Sequence, residues 1–179
     1  MSDGSRLILA LDLVDVGGRA LRMAQDISPH CFAIKVNWPI ILHAGPQIIR
    51  EISRFSRVIC DLKLADIPNT NRLIVERVRE LGAWGVIAHS FVGQDSLRAV
   101  VEAAGDMKVF SVVAMSHPPG ASDLLNRFHD MLIDISMKAG GVRLRGPPGQ
   151  QRGRPAPDKG TRRGGHEDNI ARHRRPGRR

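Results

Sequence analysis

Five short runs of almost unbroken apolar residues punctuate the first 141 positions, at 7–11, 32–36, 58–62, 84–88 and 108–113. Each is about five residues long, the texture of a parallel strand covered on both faces. Longer stretches with helical spacing lie between them. In 16–27 the residues Val16, Ala20, Met23, Ala24 and Ile27 fall on one stripe. The stretch 46–55 opens with Pro46, whose missing N–H costs nothing in a first turn. In 70–81, Leu73, Ile74, Val78 and Leu81 face inward, and 95–104 and 121–139 complete the set. The order is a βα unit repeated five times, which predicts a parallel α/β sheet with right-handed crossovers.

Two architectures fit this order: a doubly wound open sheet and a (β/α)8 barrel. The units average about 28 residues, so eight would need about 225, near the lower end for such barrels. On length alone a five-stranded open sheet fits the chain better.

Composition changes the picture only at the end of the chain. The full sequence has 179 residues and a formal net charge of +9. Positions 142–179 hold 12 of the 27 basic and 3 of the 18 acidic residues, so the whole excess lies there. Positions 1–141 carry 15 of each and are neutral, which argues against a basic binding face on the folded part. The same 38 positions contain 11 Arg, 7 Gly and 5 Pro, and only Val142, Leu144, Ala156, Ile170 and Ala171 from the apolar set. So little apolar surface cannot offset chain entropy. The expectation is a folded unit at 1–141, ending at Gly140-Gly141, and a disordered basic tail at 142–179. No apolar run reaches the roughly 18 residues of a membrane span. The N-terminus lacks a signal-peptide pattern, and Cys31 and Cys60 sit inside apolar runs. A reducing, cytoplasmic setting is expected.

Polar residues gather where the predicted strands end. Asp12 ends the first, Lys35 the second, Asp61 and Lys63 the third, with Asp66 on the loop beyond. His89 and Ser90 end the fourth, and Ser116 and His117 follow the fifth. In parallel α/β folds this edge binds ligands. Asp61 and Lys63 are two apart and share one side of a strand. Two acids and two bases brought together are costly unless paired, and such clusters mark catalytic sites. A structural ion-pair network is the competing reading. His89 reads as a packing or capping residue, and Trp38 and Trp84 as core or interface residues. The remaining histidines lack partners at metal-ligand spacing, so no metal is expected. Val16-Gly17-Gly18 lacks the spacing of a phosphate loop.

The stretch 58–70 contains Asp61-Leu62-Lys63-Leu64-Ala65-Asp66-Ile67-Pro68-Asn69-Thr70. It resembles the signature Asp-x-Lys-x-x-Asp-Ile-Pro-x-Thr of orotidine 5′-phosphate decarboxylases at every fixed position, in their short archaeal form. Leu9-Ala10-Leu11-Asp12, Ile34-Lys35-Val36-Asn37 and Met115-Ser116-His117-Pro118 support the match in the right order. The resemblance covers about 6–141. It implies a cytoplasmic, cofactor-free and metal-free homodimeric (β/α)8 barrel that converts orotidine 5′-monophosphate to uridine 5′-monophosphate in pyrimidine biosynthesis. By the same resemblance, Lys63 is the proton donor to pyrimidine C6, and Asp61 faces the substrate carboxylate. Lys35 and Asp12 hold the charge network and the ribose hydroxyls. Asp66, Ile67 and Thr70 reach the neighbouring subunit's site, and Ser116 contacts the pyrimidine.

Hexulose-phosphate synthase and ketogulonate-phosphate decarboxylase share Asp-x-Lys-x-x-Asp. They use magnesium, and their signature does not usually continue Ile-Pro-x-Thr. The family grips phosphate after strands seven and eight, and no residue of 142–179 lies in a matching motif. The expectation is therefore a barrel cut after about five units. The abrupt onset of Arg, Gly and Pro fits an out-of-frame reading of GC-rich DNA. Strand-like text in another frame beyond codon 141 is the check, and its absence from both frames refutes the idea. The alternative reading is an inactive fragment whose tail binds RNA or DNA without sequence preference. Arginines supply the phosphate contacts, but the tail has no aromatic residue for bases to stack on.

Overall fold

The computed structural model describes residues 6–13, 18–115 and 125–145. Six parallel strands form one sheet in the order β1-β2-β3-β4-β5-β6. They are β1 (Ile8–Ala10), β2 (Ala33–Asn37), β3 (Val58–Leu64), β4 (Gly85–His89), β5 (Lys108–Val112) and β6 (Val142–Arg145). Each strand pairs with the next in sequence, with no reversal of order. That is the wall of a (β/α) barrel and not a doubly wound sheet. The helices are α1 (Arg19–Ile27), α2 (Trp38–Ala44), α3 (Gln47–Ser53), α4 (Pro68–Glu80), α5 (Gln94–Ala104) and α6 (His129–Ala139).

Side chains alternate across the sheet. One face carries Ile34, Val36, Val58, Cys60, Val86, Ala88 and Val109 into the main core, against Ala24, Ile49, Ile52, Val75, Leu97 and Val100 of the helices. The other carries Ala33, Ile59, Ile87 and Val112, with Phe32, Trp84 and Phe110 packed beside them. Burial on both faces accounts for the unbroken apolar runs. The second face is the one that leads to the polar strand ends.

Two expectations are corrected. The sheet does not stop after five strands, because Val142–Arg145 pairs in parallel with β5, from Val109↔Val142 to Val112↔Arg145. Bulk composition hid a period-two pattern here. Val142 packs on the main core and Leu144 on a small cluster around Val113, Leu125 and Leu132, while Arg143 is exposed. The sheet accordingly continues by one strand past Gly140-Gly141. Both glycines have positive φ, 71° and 65°, and turn the chain from α6 into β6, as glycine does at helix ends. The rest of the predicted tail lies outside the described residues. The second correction is α2, whose helical turns follow β2 directly, before the predicted helix around Pro46. No described helix is long and apolar enough to cross a membrane.

Candidate active site

The inner sheet face changes character toward the strand C-termini. The layer of Ala33, Ile59 and Ile87 gives way to Lys35, Asp61 and His89, each two residues further along its strand. Register sets the neighbours: Asn37 pairs with Asp61, and Ala10 with Lys35. Asp61 sits between two ammonium groups. Lys35 Nζ donates to its Oδ2 at 2.7 Å, and Lys63 Nζ to its Oδ1 at 2.8 Å. Lys35 Nζ also lies 3.9 Å from Asp12 Oδ1, which accepts from Asn37 Nδ2 at 2.6 Å. The four charged residues singled out from sequence thus form one chain, Asp12–Lys35–Asp61–Lys63.

Burial grades this chain. The Asp61 side chain is 1% exposed, Lys35 14% and Lys63 42%. A carboxylate removed from water is tolerated because both oxygens meet a cation. The two ends of the chain face solvent, Asp12 at 60% and Lys63 at 42%, so a bound molecule would meet the Lys63 ammonium and the Asp12 carboxylate. Its backbone is unusual. Strand pairing shifts register between Cys60 and Leu64, and Lys63 has φ 45°, the one non-glycine residue with positive φ among those described. A bulge re-aims a side chain in this way. Trp38 supports the same segment, its indole Nε1 donating to the Leu62 carbonyl at 2.9 Å.

Asp66, Ile67 and Thr70 do not join the cluster. They lie on the loop and first turn that lead into α4. One Asp66 oxygen accepts from the Ile67 amide at 2.7 Å, and Ile67 is 64% exposed. Ser116 lies outside the described residues. Asn37 was legible in the sequence, two residues beyond Lys35 on the same strand face, but its hold on Asp12 was not foreseen.

His89 is a packing residue. It is 8% exposed, its ring lies 4.5 Å from that of Phe91, and its Nδ1 is buried without a hydrogen-bond partner. Burial, helped by the Lys63 ammonium and opposed by Asp61, holds its pKa below the ordinary 6.5. A histidine kept neutral in the folded chain binds fewer protons than in the unfolded one. Its contribution to stability is complete above 6.5 and is lost as pH falls through that value toward the folded pKa. Wild type should therefore lose more thermal stability than His89→Gln on going from about pH 8 to about pH 5.5. Equal losses would mean that His89 carries none of the dependence.

Cys60 is fully buried in the main core, and burial pushes its thiol up to about 12. The thiolate is the reactive form. Cys60 should resist alkylation in the native chain and react in urea, as mass spectrometry of the labelled peptide would report.

A family model described as Orotidine 5′-phosphate decarboxylase / HUMPS family matches residues 5–140. The orotidine 5′-phosphate decarboxylase of Thermoplasma acidophilum is 59% identical over 136 residues, covering 76% of this chain and 62% of that protein. The Thermococcus kodakarensis enzyme of the same name is 50% identical over 134 residues, covering 74% and 61%. Among solved structures, orotidine 5′-phosphate decarboxylase from Pyrococcus horikoshii superposes with a TM-score of 0.70 at 43% identity, over 76% of this chain and 64% of that one. Orotidine 5′-monophosphate decarboxylase from Methanocaldococcus jannaschii, complexed with inhibitor BMP, gives 0.70 at 41%, over 75% and 63%. The chain spans about three fifths of the length of the curated relatives it matches.

Proposed function

This chain belongs to the orotidine 5′-phosphate decarboxylase / HUMPS family, and we propose that its Asp12–Lys35–Asp61–Lys63 chain serves the decarboxylation of orotidine 5′-monophosphate. The observation that carries the reading is Asp61, 1% exposed, held by ammoniums at 2.7 and 2.8 Å, of which only that of Lys63 reaches solvent.

Loss of carbon dioxide from the pyrimidine leaves an electron pair at C6. No delocalising group in the ring accepts it, so stabilisation must come from charge already in place. Lys63 supplies a fixed ammonium and then transfers its proton to C6, closing the reaction as uridine 5′-monophosphate. Asp61 orients Lys63 and opposes the approach of the substrate carboxylate, favouring its departure as neutral carbon dioxide. Lys35 keeps Asp61 ionised in its buried position and joins it to Asp12, whose exposed carboxylate takes the ribose hydroxyls.

The site does not fit a divalent cation. Both Asp61 oxygens already face ammoniums, and a cation on either would meet that positive charge. This favours decarboxylation over the magnesium-dependent chemistry of the wider family.

We also propose a homodimer. Trp38, Ile67 and Phe91, on the segments that follow β2, β3 and β4, are 45%, 64% and 49% exposed, with Leu42 at 77% and Leu73 at 52%. Large apolar side chains exposed on adjacent segments favour a partner surface. Asp66, Ile67 and Thr70 would then act across it, which accounts for their separation from the Asp61 cluster. Residues 142–179, with their surplus of arginine, would add salt-sensitive retention of nucleic acid.

The test is the ultraviolet absorbance change of orotidine 5′-monophosphate with the purified chain, and its mass by light scattering. Turnover that persists in EDTA from a dimeric species is the expected result. A monomer would sink the dimer, and magnesium-dependent turnover the cofactor-free mechanism. Absence of turnover would sink the activity of this chain.

A further inference from the structure

The loop between β3 and α4 is exposed at every position from Ala65 to Asn69, yet it is anchored from beneath by two buried side chains. Asn71, in the first turns of α4, is 0% exposed, and Ser96, at the start of α5, is 3% exposed. Asn71 Nδ2 donates to the Asp66 carbonyl at 2.9 Å and to Ser96 Oγ at 2.8 Å. Ser96 Oγ donates to the same carbonyl at 2.6 Å. The Asp66 carbonyl therefore accepts two hydrogen bonds, one from each of two helices.

The amide orientation is forced. A carbonyl only accepts, so the NH2 group of Asn71 must face it. This leaves Asn71 Oδ1 buried without a partner, a cost accepted for the two donor contacts. Water could satisfy the carbonyl of an exposed loop, so buried donors are not needed for that purpose alone. What they add is order in a segment that would otherwise be mobile.

We propose that Asn71 and Ser96 are positioning residues that clamp the Asp66 carbonyl and so fix the direction in which Asp66 and Ile67 project. The clamp makes the loop geometry a property of the α4–α5 packing and not of the loop itself. Its consequence for turnover rests on the reading above, in which Asp66 and Ile67 serve the site.

Hydrogen exchange on the full chain tests the clamp without reference to activity. Asn71→Ala and Ser96→Ala should speed exchange in peptides covering 65–71 by about tenfold, the scale of one lost buried hydrogen bond, while peptides from β3 stay at wild-type rates. Ser96→Thr keeps the hydroxyl and should restore slow exchange. Loop exchange that rises only in step with β3 would overturn the proposal, because a merely structural pair loosens both together. If Asn71→Ala does not fold, Ser96→Ala and Ser96→Thr decide the question. In the decarboxylation assay the alanine variants should lose about 10- to 100-fold in kcat, with KM little changed and activity retained by Ser96→Thr. A wild-type chain without turnover would count against the functional reading alone, and the exchange comparison would still decide the clamp.

Discussion

Lys63→Ala should lower the proposed turnover of orotidine 5′-monophosphate by about 10⁴-fold, the upper end for loss of a positioned proton donor and more than the loss of one charge-stabilising contact. One group performs both tasks in the proposed mechanism, so its removal is not divisible into two smaller effects. The fold should survive. Lys63 is 42% exposed, and Asp61 keeps its bond to Lys35 at 2.7 Å when Lys63 is gone. Circular dichroism should therefore match wild type and urea unfolding should show at most a loss of about 1–3 kcal/mol from the Asp61 oxygen left without its cation, while the absorbance assay falls to background. Lys63→Arg should not rescue, since a planar guanidinium cannot release a proton at neutral pH. Variant turnover within tenfold of wild type would remove Lys63 from the chemistry.

Asp61→Ala should cost stability as well as turnover. It leaves the Lys35 ammonium, 14% exposed, without its closest partner. The remaining carboxylate, Asp12, is 3.9 Å away and itself 60% exposed. Breaking one side of a buried ion pair costs about 3–5 kcal/mol. The urea midpoint should fall accordingly at an unchanged slope. A second change, Lys35→Met, should recover part of the loss, because it removes the stranded charge. A fall of less than about 1 kcal/mol would place the pair with solvent-screened surface bridges. Together the two variants separate a member whose loss largely spares the fold from one whose loss costs both fold and turnover.

The strands were legible because both sheet faces are buried, which writes each one as a continuous apolar run. Charged residues at the ends of three runs marked the site, and alternation placed Asp61 and Lys63 together. What escaped has physical causes. In β6 the exposed Arg143 stands between Val142 and Leu144, which pack, so arginine dominated the local composition. α2 begins at Trp38-Pro39, where proline in the first turn favours a helix, but its apolar residues Trp38, Ile40, Ile41 and Leu42 follow the strand without a break in pattern. The Asn71–Ser96 contact joins positions 25 apart, and neither residue type announces a partner at that range. Register and burial are products of the assembled sheet, so the identity of Asp61 as the buried member, and Lys63 as the exposed one, needed the fold.

The backbone at Lys63 sets two selection pressures against each other. A left-handed conformation disfavours any side chain, by about 1 kcal/mol relative to glycine. Glycine at position 63 would relieve that strain but leave Oδ1 of the buried Asp61 without its cation, so Lys63→Gly should be inert and should exchange one cost in stability for another. On the proposed mechanism, the lysine keeps a strained backbone because its ammonium serves the reaction.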